Sequence, residues 1–387
     1  MSAWTILTCE YPPDCGGVGN YTAQVASALA AAGDEVTVFC PPRWQPPAQP
    51  ATVRVVDLND TYGRSSRAAL DRHLTGTRAT VLVQYVPTAF GMGGVNLPFC
   101  HWLLGRARRY GDDVRVMFHE PYFEFGWTPV HQGPLSLAQR AMAKMLLRAS
   151  SQTYLSTDAW RRYLSPYVRG GTPNRFVTLP IPSAIPRCEA PAEARDRRRG
   201  LTGPRTGFLI GHFGTYGSQI APLLQHALIA LLTGDEQLTA VCTGAGSDDF
   251  ARGLTGLVPS LGPRVHATGR VSARDAAVVL SACDLLVQPY PDGVTTRRTS
   301  VMAGLVNGRP VLTTTGHLTE PVWNETQAVR MTPAGDGQAF VTAARMLLAD
   351  PGARQALAER GQATYGERFA LEHTIGALRQ AAEGAAA

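Results

Sequence analysis

One pattern occurs twice in this chain: a short apolar run, a glycine turn, then a long helix-forming stretch. The first copy is Trp4 to Cys9, then Gly16, Gly17 and Gly19, then the alanine-rich run Tyr21 to Ala32 closed by Gly33. The second is Gly207 to Phe213, then Gly214 and Gly217, then a helical stretch to Leu232. A further apolar run, Val36 to Cys40, completes a β-α-β unit in the first copy. Glycine at such turns lets backbone N–H groups approach an anion at a helix N-terminus. At 387 residues the chain exceeds one ordinary hydrophobic core, so the two copies read as two α/β domains.

The rest of the chain fits that plan. Further strands are expected at VRVVDL, Thr80 to Tyr85, Val114 to Phe118, Gln152 to Thr157 and Phe176 to Leu179. Phe99 to Tyr110 and Leu135 to Ala149 read as amphipathic helices, the latter with Arg140, Lys144 and Arg148 on one face. That basic face suits an ordinary surface helix and also admits a peripheral contact with a membrane. Prolines in PIPSAIP close the first domain, which spans 1–183. Residues 184–204, with Arg195, Arg197, Arg198 and Arg199, read as a polar linker with solvated charges. A second domain is expected over 205–365 and a terminal helix over 366–387.

The stretch Asp284 to Thr314 carries the clearest chemistry. Leu285 to Gln288 is a buried strand, and Pro289, Pro291 and Gly293 break it. Thr295 or Thr296 is expected to cap a helix that runs to Asn307, with Gly308 and Pro310 ending it. Arg297 and Arg298 then fall in its first turn, where each cation costs about 0.3–1 kcal/mol unless an anion answers it. Free N–H groups and two guanidinium forks suit a phosphate. Asp292 stands just before them, able to accept from hydroxyls. The alternative is solvated arginines and an Asp292 that only closes the turn. Asp284 reads as structural, and Glu320 is the carboxylate of the following loop.

PYPDGVTTRRTSVMAGLVNGRPVLTT resembles the donor-binding motif of family four glycosyltransferases, and GGVGNYT resembles their first glycine loop. VRVMFHEPY resembles their strand ending in His-Glu, and Gly269-Arg270-Val271 their loop at the nucleotide base. The resemblance implies an α/β protein of GT-B architecture, two Rossmann-like domains facing across a cleft, whose terminal helix returns to the first domain. It implies a retaining transfer of a hexose from a nucleotide-sugar donor to an acceptor hydroxyl on a natural product, oligosaccharide or lipid-linked glycan. By this resemblance Asp292 and His119 lie near the reacting sugar; the diphosphate role of Arg297 and Arg298 is read from their charge and position and is not part of the family pattern. Gly16, Gly17, Gly214, Thr215, Gly269, Arg270, Val271, Gly293, Val294, Thr295 and Ser300 are donor-side candidates. Tyr11, Glu120 and Glu124 are acceptor-side candidates. Ser300 stands where the family has its second acid, and no basic residue accompanies Thr215, Tyr216 and Ser218 where many relatives carry an Arg and a Lys. Both departures bear on how the nucleotide is held.

Several classes fall away. No D-x-D occurs, so no metal and no other cofactor is expected; no metallohydrolase, P-loop or G-x-S-x-G motif is present either. G-x-G-x-x-G is incomplete at Gly17, Gly19 and Thr22, which weighs against an oxidoreductase. A formal charge of +6 suits phosphate-bearing substrates but is too diffuse to argue for nucleic acid. Seven scattered cysteines, no signal-peptide pattern and no long apolar run point to a cytoplasmic protein, with the inner membrane face admitted as a docking surface. A pseudo-glycosyltransferase that binds without turnover, and another sugar-nucleotide enzyme such as an epimerase or a phosphorylase, stay open.

Overall fold

The computed structural model describes residues 2–13, 16–43, 52–75, 79–123, 132–168, 176–203 and 207–386; for Met92, Gln132 and 381–386 it describes the backbone alone. Contacts divide the chain into two compact units, Met1–Ile181 with Leu371–Ala387, and Pro182–Ala370.

The first unit holds a parallel sheet of strands β1 (Ala3–Thr8), β2 (Glu35–Cys40), β3 (Val53–Asp57), β4 (Thr80–Tyr85), β5 (Val114–Phe118), β6 (Gln152–Leu155) and β7 (Phe176–Thr178). Their order is β3-β2-β1-β4-β5-β6-β7. Strands buried on both faces carry continuous apolar runs, as in TVLVQY and VRVMF. The Leu371–Ala386 helix joins this unit: Leu378 is in its core beside Trp4 and Val25. Arg115, 1% exposed, donates to the Leu378 carbonyl at 2.9 Å and to Asp113 at 2.7 Å. A buried guanidinium persists only when paired in this way. The helix Arg64–Thr75 was not foreseen from sequence, because only Leu70 and Leu74 mark its buried apolar face.

The second unit is a parallel sheet of β8 (Leu209–Phe213), β9 (Thr239–Thr243), β10 (Val265–Ala267), β11 (Leu285–Gln288), β12 (Val311–Thr315) and β13 (Arg330–Pro333). The order is β10-β9-β8-β11-β12-β13. Neighbouring residues serve opposite faces, following the strand period of two. Ile210, Leu285 and Leu312 pack in one core, while Leu209, Leu286 and Val311 pack in the other. The order reverses between β8 and β11. Ligands of open α/β sheets bind outside the carboxyl ends of the strands at such a switch point.

Residues 184–204 are not a featureless linker. Pro191–Thr202 is a helix of the second unit, begun by a proline at its first turn, with Ala194 buried. Arg198 is not solvated but paired with Asp284 at 2.5 Å. Asp284 also accepts from Leu209 N at 2.7 Å, which ties the starts of β8 and β11 together.

Candidate functional site

The loops after β8, β9 and β10 are joined through their backbones. Gly214 N donates to Thr243 O at 3.1 Å, and Gly244 N donates to Gly269 O at 3.1 Å. Gly244 has φ +114°, and a Cβ there would sit 2.3 Å from Gly214 O, so no larger residue fits. Gly269 N donates to Ser247 Oγ at 2.9 Å. Thr215 and Arg270 are exposed at this edge, and Val271 is half-buried against the core.

The loop after β11 lies on the other side of the switch point. It is held by the loop after β12: Val294 N donates to Thr314 O and Leu318 N to Asp292 O, both at 2.9 Å. Val294 and Thr295 are fully buried, and Val294 packs in the core, so its side chain anchors the loop and faces no ligand. Glu320 is 3% exposed and accepts from Thr296 N at 2.5 Å and Thr296 Oγ1 at 2.8 Å.

That carboxylate moves the helix start. The helix runs Thr299–Val306, with Arg298 at its N-cap position. Thr295 and Thr296 do not cap it, because Glu320 takes Thr296 and residues 295–298 close a turn through Arg298 N to Thr295 O at 3.0 Å. Arg297 and Arg298 therefore precede the first turn instead of lying within it.

Arg298 Nη2 donates to both oxygens of Asp292, at 2.5 and 2.6 Å, and its guanidinium lies 4.3 Å from the centre of the Tyr290 ring. Arg297 Nη2 is 3.9 Å from Asp292. All three side chains are about one-fifth exposed, so two cations and one carboxylate reach the surface together. Tyr290 OH and Ser300 Oγ are 2.6 Å apart. Ser300 Oγ also stands 4.0 Å from where a Cβ of Gly214 would be, which brings the β8 and β11 loops together. A chain of contacts thus runs Asp292, Arg298, Tyr290, Ser300, ending near Gly214.

His212, near the end of β8, was missed from sequence. It is 3% exposed, its Nδ1 donates to Val287 O at 2.9 Å, and its Nε2 is buried with no hydrogen-bond partner among the described residues. Burial pushes its pKa down from 6.5 to about 4. The unfolded chain then binds the proton first as pH falls. The stabilisation is full above about pH 6.5 and is lost toward pH 4, a difference worth about 3 kcal/mol. His212→Asn is expected to flatten this part of the stability–pH curve, measured by denaturant unfolding at pH 4–7. Curves that stay parallel for the variant and the parent refute it.

In the first unit, His119 follows β5 and is 7% exposed. Its Nε2 lies 2.8 Å from Gln84 Oε1, an oxygen that only accepts, so this nitrogen carries the proton. Its ring meets Tyr21 edge-on at 5.2 Å. Glu120 is half-buried beside it. Tyr11 is 7% exposed and packs in the core, so it presents little surface to an acceptor. Glu124 lies outside the described residues.

The first glycine turn already holds a carboxylate. Glu10 accepts from Gly16 N and from Gly19 N, each at 2.9 Å. Gly16 therefore does not offer its N–H to a phosphate while Glu10 stays in place. A Cβ at Gly17 would meet nothing within 4 Å. Glu10 acts as an anionic cap on the Gly17–Ala31 helix, and Glu10→Ala should cost about 1 kcal/mol in denaturant unfolding. An unchanged midpoint would show that water replaces the carboxylate at no cost.

Among the described residues no cluster of three or more His, Cys, Asp or Glu side chains is placed to hold a metal ion. No described helix is long and apolar enough to cross a membrane. On the Gln132–Ala149 helix, Arg140 folds back over the Tyr122 ring at 4.2 Å, leaving Lys144 and Arg148 exposed.

Two doubly wound α/β units, with all-parallel sheets of seven and six strands, are the GT-B layout. Residues 16–182 match the family model described as glycosyl transferase 4-like domain, and 207–350 that of glycosyl transferases group 1; the chain belongs to these glycosyltransferases. Among solved structures, sucrose-phosphate synthase from Thermosynechococcus elongatus superposes with TM-score 0.74 at 17% identity, covering 100% of each chain. HepE of Anabaena, solved with UDP and glucose, gives 0.70 at 15% identity, covering 98% of this chain and 100% of its own. WaaG, a glycosyltransferase involved in lipopolysaccharide biosynthesis, gives 0.65 at 17% identity, covering 94% and 95%. No curated protein is a significant match to the sequence.

Proposed function

We propose that the chain transfers a hexose from a nucleoside diphosphate sugar to an acceptor hydroxyl, with retention at the anomeric carbon and without a metal ion. The observation that carries this is the Asp292–Arg297–Arg298 group beside the β8/β11 switch point. In the reaction the bond from the anomeric carbon to the phosphate oxygen breaks, and its electron pair stays on that oxygen. Arg297 and Arg298 stabilise the growing charge, the role a metal plays elsewhere. The acceptor oxygen bonds to the same face of the sugar, and its proton passes to the leaving phosphate. Asp292 has lone pairs beyond the two that Arg298 takes, and these orient sugar hydroxyls. His119 contacts donor or acceptor near the reacting carbon.

Ser300 makes a neutral contact to the ribose in place of a carboxylate, oriented by Tyr290. The loss of that acid and the gain of Arg297 and Arg298 shift this site toward positive charge, which favours the diphosphate over the ribose as the main anchor. Structures of HepE hold UDP and UDP-glucose, and a trehalose-phosphate synthase neighbour is UDP-forming, so UDP-sugars are the first donors to try. The test is a thermal-shift panel of UDP-, GDP-, ADP- and dTDP-sugars in chelator. A donor at 100 times its dissociation constant stabilises by about 2.7 kcal/mol. A selective shift names the nucleotide, and no shift with any donor overturns the proposal.

A further inference from the structure

The second unit has a cleft of about 480 Å³ at the opposite end of its sheet from the donor loops. It opens where β11 and β12 begin, beside Asp284 and Arg309, whereas the donor loops follow the carboxyl ends of the same strands. Four of its lining residues are arginines, Arg187, Arg195, Arg198 and Arg309, against two acids, Asp284 and Glu359. The cluster on Pro191–Thr202 that reads as solvated charge in the sequence supplies two of them.

The four arginines divide into a fixed pair and an available pair. Arg198 donates to Asp284, and to the carbonyls of Ala282 at 3.2 Å and Gly207 at 2.9 Å. Arg309 Nη1 donates to Ser281 O at 3.2 Å and Cys283 O at 3.4 Å. Both thus answer the negative end of the Ala273–Ala282 helix, and have a structural reason to be there. Arg187 and Arg195 have none: both are exposed and neither makes an ion pair among the described residues. Arg187 is nonetheless well positioned. The buried Asn307 side chain pins its two neighbours, accepting from Cys188 N at 2.8 Å and donating to Pro186 O at 3.2 Å. Asp284 Oδ2 accepts from both Arg198 and Leu209 N, and with four arginines against Asp284 and Glu359 the cleft keeps an excess of positive charge.

We propose that this cleft binds a small phosphate-bearing metabolite, separate from the donor. Guanidinium forks match phosphate oxygens in geometry and charge. A volume of 480 Å³ lies in the range of small-molecule sites and exceeds what a bare phosphate fills. On the wall, Gln355 Nε2 donates to Glu359 Oε1 at 2.6 Å and Gln362 Nε2 to Val306 O at 3.4 Å, which leaves the two amide oxygens to accept from hydroxyls of such a molecule.

The test is calorimetric titration of the full chain with ribose 5-phosphate and with pyrophosphate, with ribose as the uncharged control. The doubly substituted Arg187→Ala/Arg195→Ala chain should bind the phosphate probes at least about tenfold more weakly and keep its affinity for the donor nucleotide. The Arg297→Ala/Arg298→Ala chain should bind ribose 5-phosphate as the parent does, and should lose only the part of pyrophosphate binding that belongs to the donor loops. The proposal is overturned if the parent binds neither probe, or if the probes depend on Arg297 and Arg298 and not on Arg187 and Arg195. Binding to phosphatidylglycerol vesicles with no binding of the soluble probes overturns it too, since the cleft would then serve a membrane surface. None of these outcomes depends on the chain being an active transferase.

Discussion

Replacing both Arg297 and Arg298 by alanine is expected to weaken binding of a nucleoside diphosphate sugar by at least about a hundredfold. Hydrogen bonds to a charged group contribute about 1.5–3 kcal/mol each, so two lost forks give about 3–6 kcal/mol before coupling between them is counted. The single variants should differ. Arg298 holds both oxygens of Asp292 and stacks on Tyr290, so Arg298→Ala removes a loop support as well as the proposed phosphate contact. Arg297 sits 3.9 Å from Asp292, too far for the close pairing that Arg298 makes with that carboxylate. Arg297→Ala should therefore lower affinity with little change in melting temperature, whereas Arg298→Ala should lower both. Calorimetric affinities beside thermal unfolding separate the two. Donor affinity unchanged in the double variant would remove the arginines from the diphosphate.

Gly293→Ala is expected to be the most damaging single methyl group in the loop after β11. Gly293 has φ +89°, and a Cβ would stand 2.2 Å from Thr319 Oγ1 and 2.3 Å from the backbone nitrogen of Gly316. Gly316 is equally tight, with a Cβ position 2.4 Å from the carbonyl carbon of Asp292. The side chain of Thr319 could turn aside, but the backbone of Gly316 cannot without separating the loops after β11 and β12. Left-handed strain and overpacking together should cost about 3 kcal/mol or more. Asp292 is the adjacent residue, so donor binding should fall with stability. Gly217→Ala serves as the control in the same unit, because a Cβ there meets nothing within 4 Å. If Gly293→Ala melted like the control, the two loops would be far less tightly joined than the geometry requires.

Much of the scaffold is legible in the sequence because parallel strands write themselves as bare apolar runs. Thr80–Tyr85, Val114–Phe118 and Leu285–Gln288 lie where their residues place them. What sequence could not show is which carboxylate answers which N–H. Glu320 stands 24 residues beyond Thr296, yet it decides that the helix starts at Thr299 and not at a threonine cap. Glu10 is closer in sequence to its partners, Gly16 and Gly19, and an acid before a glycine turn was the available signal. The Pro191–Thr202 helix hides behind its charge, since one buried alanine and one buried threonine are all its inner face needs. His212 offers no pattern at all; only the β8–β11 pairing brings it to Val287.

The most direct test of the central claim is proton NMR of a nucleoside diphosphate sugar, first a UDP-hexose, incubated with the protein in chelator. The account predicts slow release of the free nucleoside diphosphate, with the sugar appearing first in the anomeric configuration it had in the donor. A donor that stays intact while bound would contradict transfer and leave a binding protein. First appearance of the opposite anomer would contradict retention.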